Sequence, residues 1–143
     1  MSKWIGCAGM VEGKGAVAIL ILRLVSGLAF IQHGWVMIQH PFGWMGPEAA
    51  VPGFLQALAA LSEFGGGFAL VLGLLTRLAA LGISCVMLTA IFMVHVPHGD
   101  PFVNPRGGGS YELAAVYLAI MVVFILRGAG QFSLDALIWR KKA

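Results

Sequence analysis

The chain has 143 residues, of which 59% are hydrophobic and only 10% charged, with a net charge of +3. A soluble domain usually carries about a quarter charged residues, so this composition, with a mean hydropathy of +0.91, excludes an ordinary soluble fold and points to a membrane protein. The basic residues are scattered over the ends of apolar runs and form no patch interleaved with aromatics, which excludes nucleic acid as a partner.

The opening segment "MSKWIGCAGMVEGKG" does not read as a secretory signal, because the apolar run behind it is too long for an h-region and no small-residue cleavage pattern follows. Crossing a hydrocarbon core takes about 20 helical residues. Four runs approach that length, at about 15–39, 53–75, 77–96 and 111–126. They predict an all-α, integral membrane four-helix bundle that forms a single domain over residues 1–143.

In the first span Arg23, Ser26, Gly27, Phe30, His33, Gly34 and Met37 follow one helical stripe. The connection "HPFGWMGPEAAVPG" suits the membrane interface. In the second span Glu63, Gly66, Gly67, Leu70 and Leu74 make a matching stripe, and small residues of this kind let membrane helices approach closely. The two stripes are expected to pack together. A tight turn at "LLTRLAAL" leads to the third span, which holds Cys85 and ends at His95. Cys7 and Cys85 are the only cysteines and suggest neither a disulfide framework nor a redox pair. "PHGDPFVNPRGGGS" connects to the fourth span, which is read as free of polar groups after Glu112.

Lys3, Lys14, Arg77, Arg127, Arg140, Lys141 and Lys142 fall on one side of this arrangement and Arg106 alone on the other. The positive-inside rule then places both termini in the cytoplasm. Anionic lipid headgroups account for "WRKKA" at the end. Ser133 reads as the N-cap of a short C-terminal interfacial helix.

Counted from the outer surface, His33 lies about six residues deep and Glu63 about ten, roughly 6 Å apart at 1.5 Å per residue. Arg23 lies roughly 9 Å further inward, within reach if its side chain points outward. His95 and Glu112 lie near the outer mouth. Arg23, His33, Glu63, His95 and Glu112 therefore outline an outward-opening polar pocket with Arg23 as its floor. Two readings stay open: an ion pair or hydrogen-bond network that fixes helix register, and a ligand or proton site.

Metal and haem signals are weak. His95 and His98 are spaced H-x-x-H around a proline and no further Cys or His cluster completes a metal site, while a haem-attachment C-x-x-C-H is missing. "GGGSYE" lacks the P-loop pattern, and "GGG" at residues 65–67 reads as close packing.

The ordered set "LRLVSGLAFIQHG", "SEFGGGFALVLGLLTRLAAL", "VHVPHG", "GSYE" and "GQFSLDAL" resembles the DoxX family of small four-span membrane proteins, from about residue 19 to residue 138. The resemblance implies a multi-pass protein of the cell inner membrane, associated with redox systems that include quinone-reducing ones. The family's recurring polar positions match Arg23, His33, Glu63, Arg77, His95 and Glu112. The chain reads "GAGQ" where "GPGR" is common in the family, and its outer connection after the first span is short. The expected function is a membrane subunit of a quinone-linked oxidoreductase, with quinone as the implied cofactor and membrane lipids and other membrane subunits as partners. The other reading is a non-catalytic accessory or scaffold subunit. Solute transport lacks the support of inverted repeats or broken helices.

Overall fold

A computed structural model describes residues 11–49 and 51–140. The expected placements of Lys3, Cys7, Lys141 and Lys142 lie outside the described residues. Helix α1 spans Gly13–Ile38, α2 spans Gly53–Leu72, α3 spans Thr76–His98, α4 spans Glu112–Arg127 and α5 spans Leu134–Arg140. No strand occurs among the described residues. The first three helices are long and apolar enough to cross a membrane. Helix α4 has 16 residues, about 24 Å at 1.5 Å per residue, which is less than a hydrocarbon core of about 30 Å. It stops at Gly128, whose φ of 73° and ψ of −160° leave the helical region.

The third helix runs past the expected end near Val96 and through Pro97. Ala90–His95 winds as a π-helix, and the Val96 N–H bonds to the Ile91 carbonyl five residues back. Proline has no N–H to donate, and in a regular α-helix its ring meets the carbonyl four residues before it. The wider π turn accommodates that defect, so His95 and His98 both remain helical.

Helix α1 packs along α2, α2 along α3, and α3 along α4, whereas α4 barely meets α1. Phe30, Leu70, Ile83, Met121 and Phe124 fill the buried interior. Val25, Val36, Leu61, Leu78, Phe92 and Leu126 point outward and exposed, the arrangement that hydrocarbon solvates.

The two small-residue stripes do pack together. A Cβ on Gly67 would stand 2.7 Å from the Ile31 amide nitrogen, and one on Gly34 would stand 2.6 Å from Phe64 Cα, so the α1 and α2 backbones touch. The glycine triplet divides its work. Gly67 faces α1, Gly66 would carry a Cβ 3.1 Å from Ile83 Cδ1 of α3, and Gly65 would meet only Leu61 of its own helix at 3.6 Å.

At the opposite end from the 98–112 connection, the α2–α3 turn is held from outside. Leu75 takes a left-handed φ of 49°. The Asp135 carboxylate accepts hydrogen bonds from the Leu75 N–H at 2.7 Å and the Thr76 N–H at 3.0 Å. These are first-turn donors of α3 with no partner inside the helix. Ser133 Oγ accepts from the Ala136 N–H at 3.1 Å and caps α5, as the sequence predicts. Asp135→Ala removes both acceptors and is expected to cost about 1–2 kcal/mol, the usual range for a lost cap. Thermal unfolding in detergent measures it, and an unchanged midpoint would show that water replaces the carboxylate without loss.

Candidate functional site

Glu63 is the starting point. On α2 it shares its face with Gly66, Gly67 and Leu70, all buried, and is itself only 6% exposed. Its carboxyl makes no hydrogen bond or ion pair with any described residue. A polar group placed in a bundle interior without a partner is costly, and intramembrane carboxyls are for that reason functional-site candidates.

Two openings meet at this side chain. One is a groove of about 950 Å³ on the α1 and α2 surface, walled by Val25, Leu28 and Val36, with Trp44 over it and Gln32 and His33 alongside Glu63. Trp44 is fixed there by donating its indole N–H to the Gln56 carbonyl at 3.1 Å. Buried Gln56 in turn accepts from the Met45 N–H at 3.1 Å and donates to the Val51 carbonyl at 2.8 Å, which ties the 39–52 connection to α2. The other opening is a cavity of about 370 Å³ where all four long helices converge, lined by His33, Glu63, His95, Ser110 and Tyr117. Phe30 of α1 and Tyr117 of α4 bridge the thinly packed α1–α4 gap with ring centroids 4.8 Å apart.

His33 lines both openings. Its stripe neighbours Phe30, Gly34 and Met37 are buried, but His33 itself is exposed. Because α1 is covered by α2 and scarcely by α4, only part of its polar stripe is roofed, and His33 sits on the open edge.

His95 reaches the cavity from the last position of the π-helix, and its Nδ1 lies 2.7 Å from Asp100 Oδ2. With the proton on Nδ1 donated to the carboxylate, Nε2 is the ring's acceptor. Gly99, at a φ of 73°, turns the chain back so that residue 100 meets residue 95. Gly109 closes over the pair, since a Cβ there would fall 2.6 Å from Asp100 Cγ. Sequence reasoning missed Asp100, although a Pro-x-Gly turn directly after a helix was the signal that could have found it. Tyr117 was missed as well. The fourth span is not free of polar groups after Glu112, because Tyr117 lines the cavity.

The remaining two expected residues lie elsewhere. Glu112 is exposed at the first position of α4, where an acid complements the helix dipole, and it does not line the cavity. Arg23 is 1% exposed and points away from Glu63. Its Nε donates to the Leu70 carbonyl at 2.8 Å, Nη2 to Val71 at 3.1 Å, and Nη1 to Ala129 at 2.6 Å and Phe132 at 3.0 Å. Ten residues separate it from His33, about 15 Å along α1. The expected meeting of Arg23 with Glu63 does not form, because the carbonyls at the end of α2 and in the 128–133 turn offer the guanidinium four acceptors converging on one side chain. His33, Glu63 and His95 are thus brought together, and Arg23 and Glu112 are not. Among the described residues no three His, Cys, Asp or Glu side chains are grouped to hold a metal ion.

Comparison with known proteins bears on this arrangement. A family model described as DoxX matches residues 18–96. The chain belongs to the DoxX family. An uncharacterised protein of Haemophilus influenzae is 34% identical over 125 residues, which cover 86% of this chain and 92% of that protein. The inner membrane protein YqjF of Escherichia coli is 29% identical over 130 residues, 87% of this chain and 95% of YqjF. A second uncharacterised H. influenzae protein is 30% identical over 138 residues, 89% of this chain and 87% of that protein. No solved structure matches. In this DoxX protein the polar positions divide between two ends of the bundle. His33, Glu63 and His95 gather beneath the 98–112 connection, whereas Arg23 and Arg77 serve the opposite end, where Arg77 Nη2 donates to the Leu126 carbonyl at 3.5 Å.

Proposed function

We propose that this DoxX protein is an integral subunit of the inner membrane in a quinone-linked oxidoreductase system, and that a quinone head group docks beside Glu63 and His33. The observation that carries the reading is the buried Glu63 carboxyl, without a partner among the described residues and open to both the α1–α2 groove and the four-helix cavity. Carboxyl and imidazole groups hydrogen-bond a quinone oxygen and exchange protons with it. The cavity of about 370 Å³ lies in the range of small-molecule sites, and the groove's aliphatic wall gives an apolar tail lateral entry from the bilayer. The redox association implied by DoxX membership supports the ligand class.

In the membrane, α4 completes a four-span bundle, with the flanking turns filling the depth its 16 residues leave open. Lys14, Arg77 and Arg127 lie at the Arg23 end and Arg106 at the other, so the positive-inside rule puts the Arg23 end and both termini in the cytoplasm and the cavity outside. Helix α5 rests on the inner interface. Leu113, Val116, Val122 and Leu126 of α4 are exposed and apolar, a face for lipid or for a neighbouring membrane subunit.

Decylubiquinone titrated into the purified protein in lipid nanodiscs tests the reading through quenching of tryptophan fluorescence, since Trp44 borders the groove. Glu63→Gln and His33→Ala are each expected to weaken binding about tenfold, equivalent to about 1.4 kcal/mol. Equal binding by wild type and both variants would overturn the quinone site and leave the scaffold role. That role would then show as loss of partner assembly on deletion, with activity indifferent to both substitutions.

A further inference from the structure

We propose that His95 and Asp100 form a proton relay connecting Glu63 with the water at the 98–112 end of the bundle. The proposal rests on the reading of Glu63 as the proton-handling group of the head-group site and names the route by which that proton arrives and leaves.

Three observations converge on it. Glu63 and His95 line one cavity although they come from different helices, and Ser110 and Tyr117 add hydroxyls to its wall. Neither hydroxyl makes a hydrogen bond with a described residue, so both are available to pass a proton. The His95 imidazole is oriented by Asp100 at 2.7 Å and lines the cavity, and the two side chains are each 25% exposed, so the pair is not sealed in the interior. A histidine whose Nδ1 is held by a carboxylate is a built acid-base group, because the carboxylate fixes the tautomer and stabilises the imidazolium when Nε2 takes up a proton. The π turn and Pro97 bring His95 to this position, and Gly109 lets the connection close directly over Asp100.

The step balances without a further reactant. The O–H bond of the Glu63 carboxyl breaks and its proton passes through the cavity hydroxyls or water to His95 Nε2. The resulting imidazolium, paired with the Asp100 carboxylate, then releases a proton to the outer solution. Uptake runs in reverse. The titratable groups facing Glu63 are His33 from α1, His95 from α3 and Tyr117 from α4. Glu112 is exposed beyond the cavity, and the Arg23 guanidinium is committed to carbonyls at the other end.

Hydrogen–deuterium exchange of the Glu63 carboxyl, followed by infrared spectroscopy on ligand-free protein in nanodiscs, tests the relay. The band is assigned by its loss in Glu63→Gln. Exchange is expected to slow about a hundredfold in His95→Ala, the low end of the usual contribution of a positioned acid-base group, and to slow in Asp100→Asn as well. Added imidazole should restore the rate in His95→Ala alone, a rescue that a packing role for His95 would not produce. Exchange at the wild-type rate in both variants, slowed exchange that imidazole leaves unrescued, or no exchangeable Glu63 band at any pH would each overturn the proposal. Because quinone is absent from the measurement, failure of the relay and failure of the quinone site are read separately.

Discussion

Arg23→Met is expected to destabilise the protein by about 3–5 kcal/mol, because one buried side chain supplies four charge-assisted hydrogen bonds and its loss strands carbonyls in an apolar interior. The bonds join three parts of the chain: α1, the end of α2 at Leu70 and Val71, and the 128–133 turn at Ala129 and Phe132. A cation also complements the negative end of the α2 dipole. Arg23→Lys should recover only part of the loss, since an ammonium cannot reproduce the planar fork that reaches both segments at once. Unfolding in detergent, followed by circular dichroism, measures the difference. The same variants separate the two sequence-level readings of this arginine. About 15 Å from His33, Arg23→Lys should leave decylubiquinone affinity within about twofold of wild type, as separate sites do. A tenfold loss of affinity with unchanged stability would return Arg23 to the floor of the site.

Gly34→Ala is expected to cost about 3 kcal/mol, at the upper end of ordinary overpacking. The new methyl would stand 2.6 Å from Phe64 Cα and 2.7 Å from its Cβ, and backbone cannot swing aside as a flexible side chain does. Relief requires α1 and α2 to separate at Phe64, next to Glu63, so the variant should also weaken quinone binding while Glu63 itself is intact. Gly65→Ala is the matched control. Its Cβ finds only Leu61 Cδ1 at 3.6 Å, ordinary contact distance, and the higher helix propensity of alanine makes a neutral or slightly stabilising result the expectation. Equal melting temperatures for both alanine variants would show that α1 and α2 do not pack through Gly34.

The fold was largely legible because membrane helices announce themselves by length and apolarity. The stripes through Gly27, Gly34 and Gly67 also foretold which faces would meet, since small residues at helical spacing have one physical use in a bilayer. The candidate site was legible in part. Counting residues from the surface put His33 and Glu63 roughly 6 Å apart in depth and His95 near the outer mouth, and all three do line one cavity. Depth counting says nothing of azimuth, however. Glu112 has the right depth and the wrong side of its helix, while Tyr117 was taken for part of an apolar surface. Asp100 escaped because loop residues carry no periodicity, and its meeting with His95 depends on the turn at Gly99.

What the amino-acid sequence by itself determined was membrane residence, family, the three long apolar helices and the close α1–α2 contact, because each follows from local composition and spacing. What only the tertiary structure decided was the direction in which long polar side chains reach. Arg23 had to choose between a carboxyl toward one end of the bundle and a cluster of carbonyls at the other, and nothing near it in sequence shows that cluster. The carbonyls come from residues 70, 71, 129 and 132, which become neighbours only when the chain folds. With Arg23 engaged there, Glu63 is left without a protein partner among the described residues, beside His33 and His95 in the cavity proposed as the site.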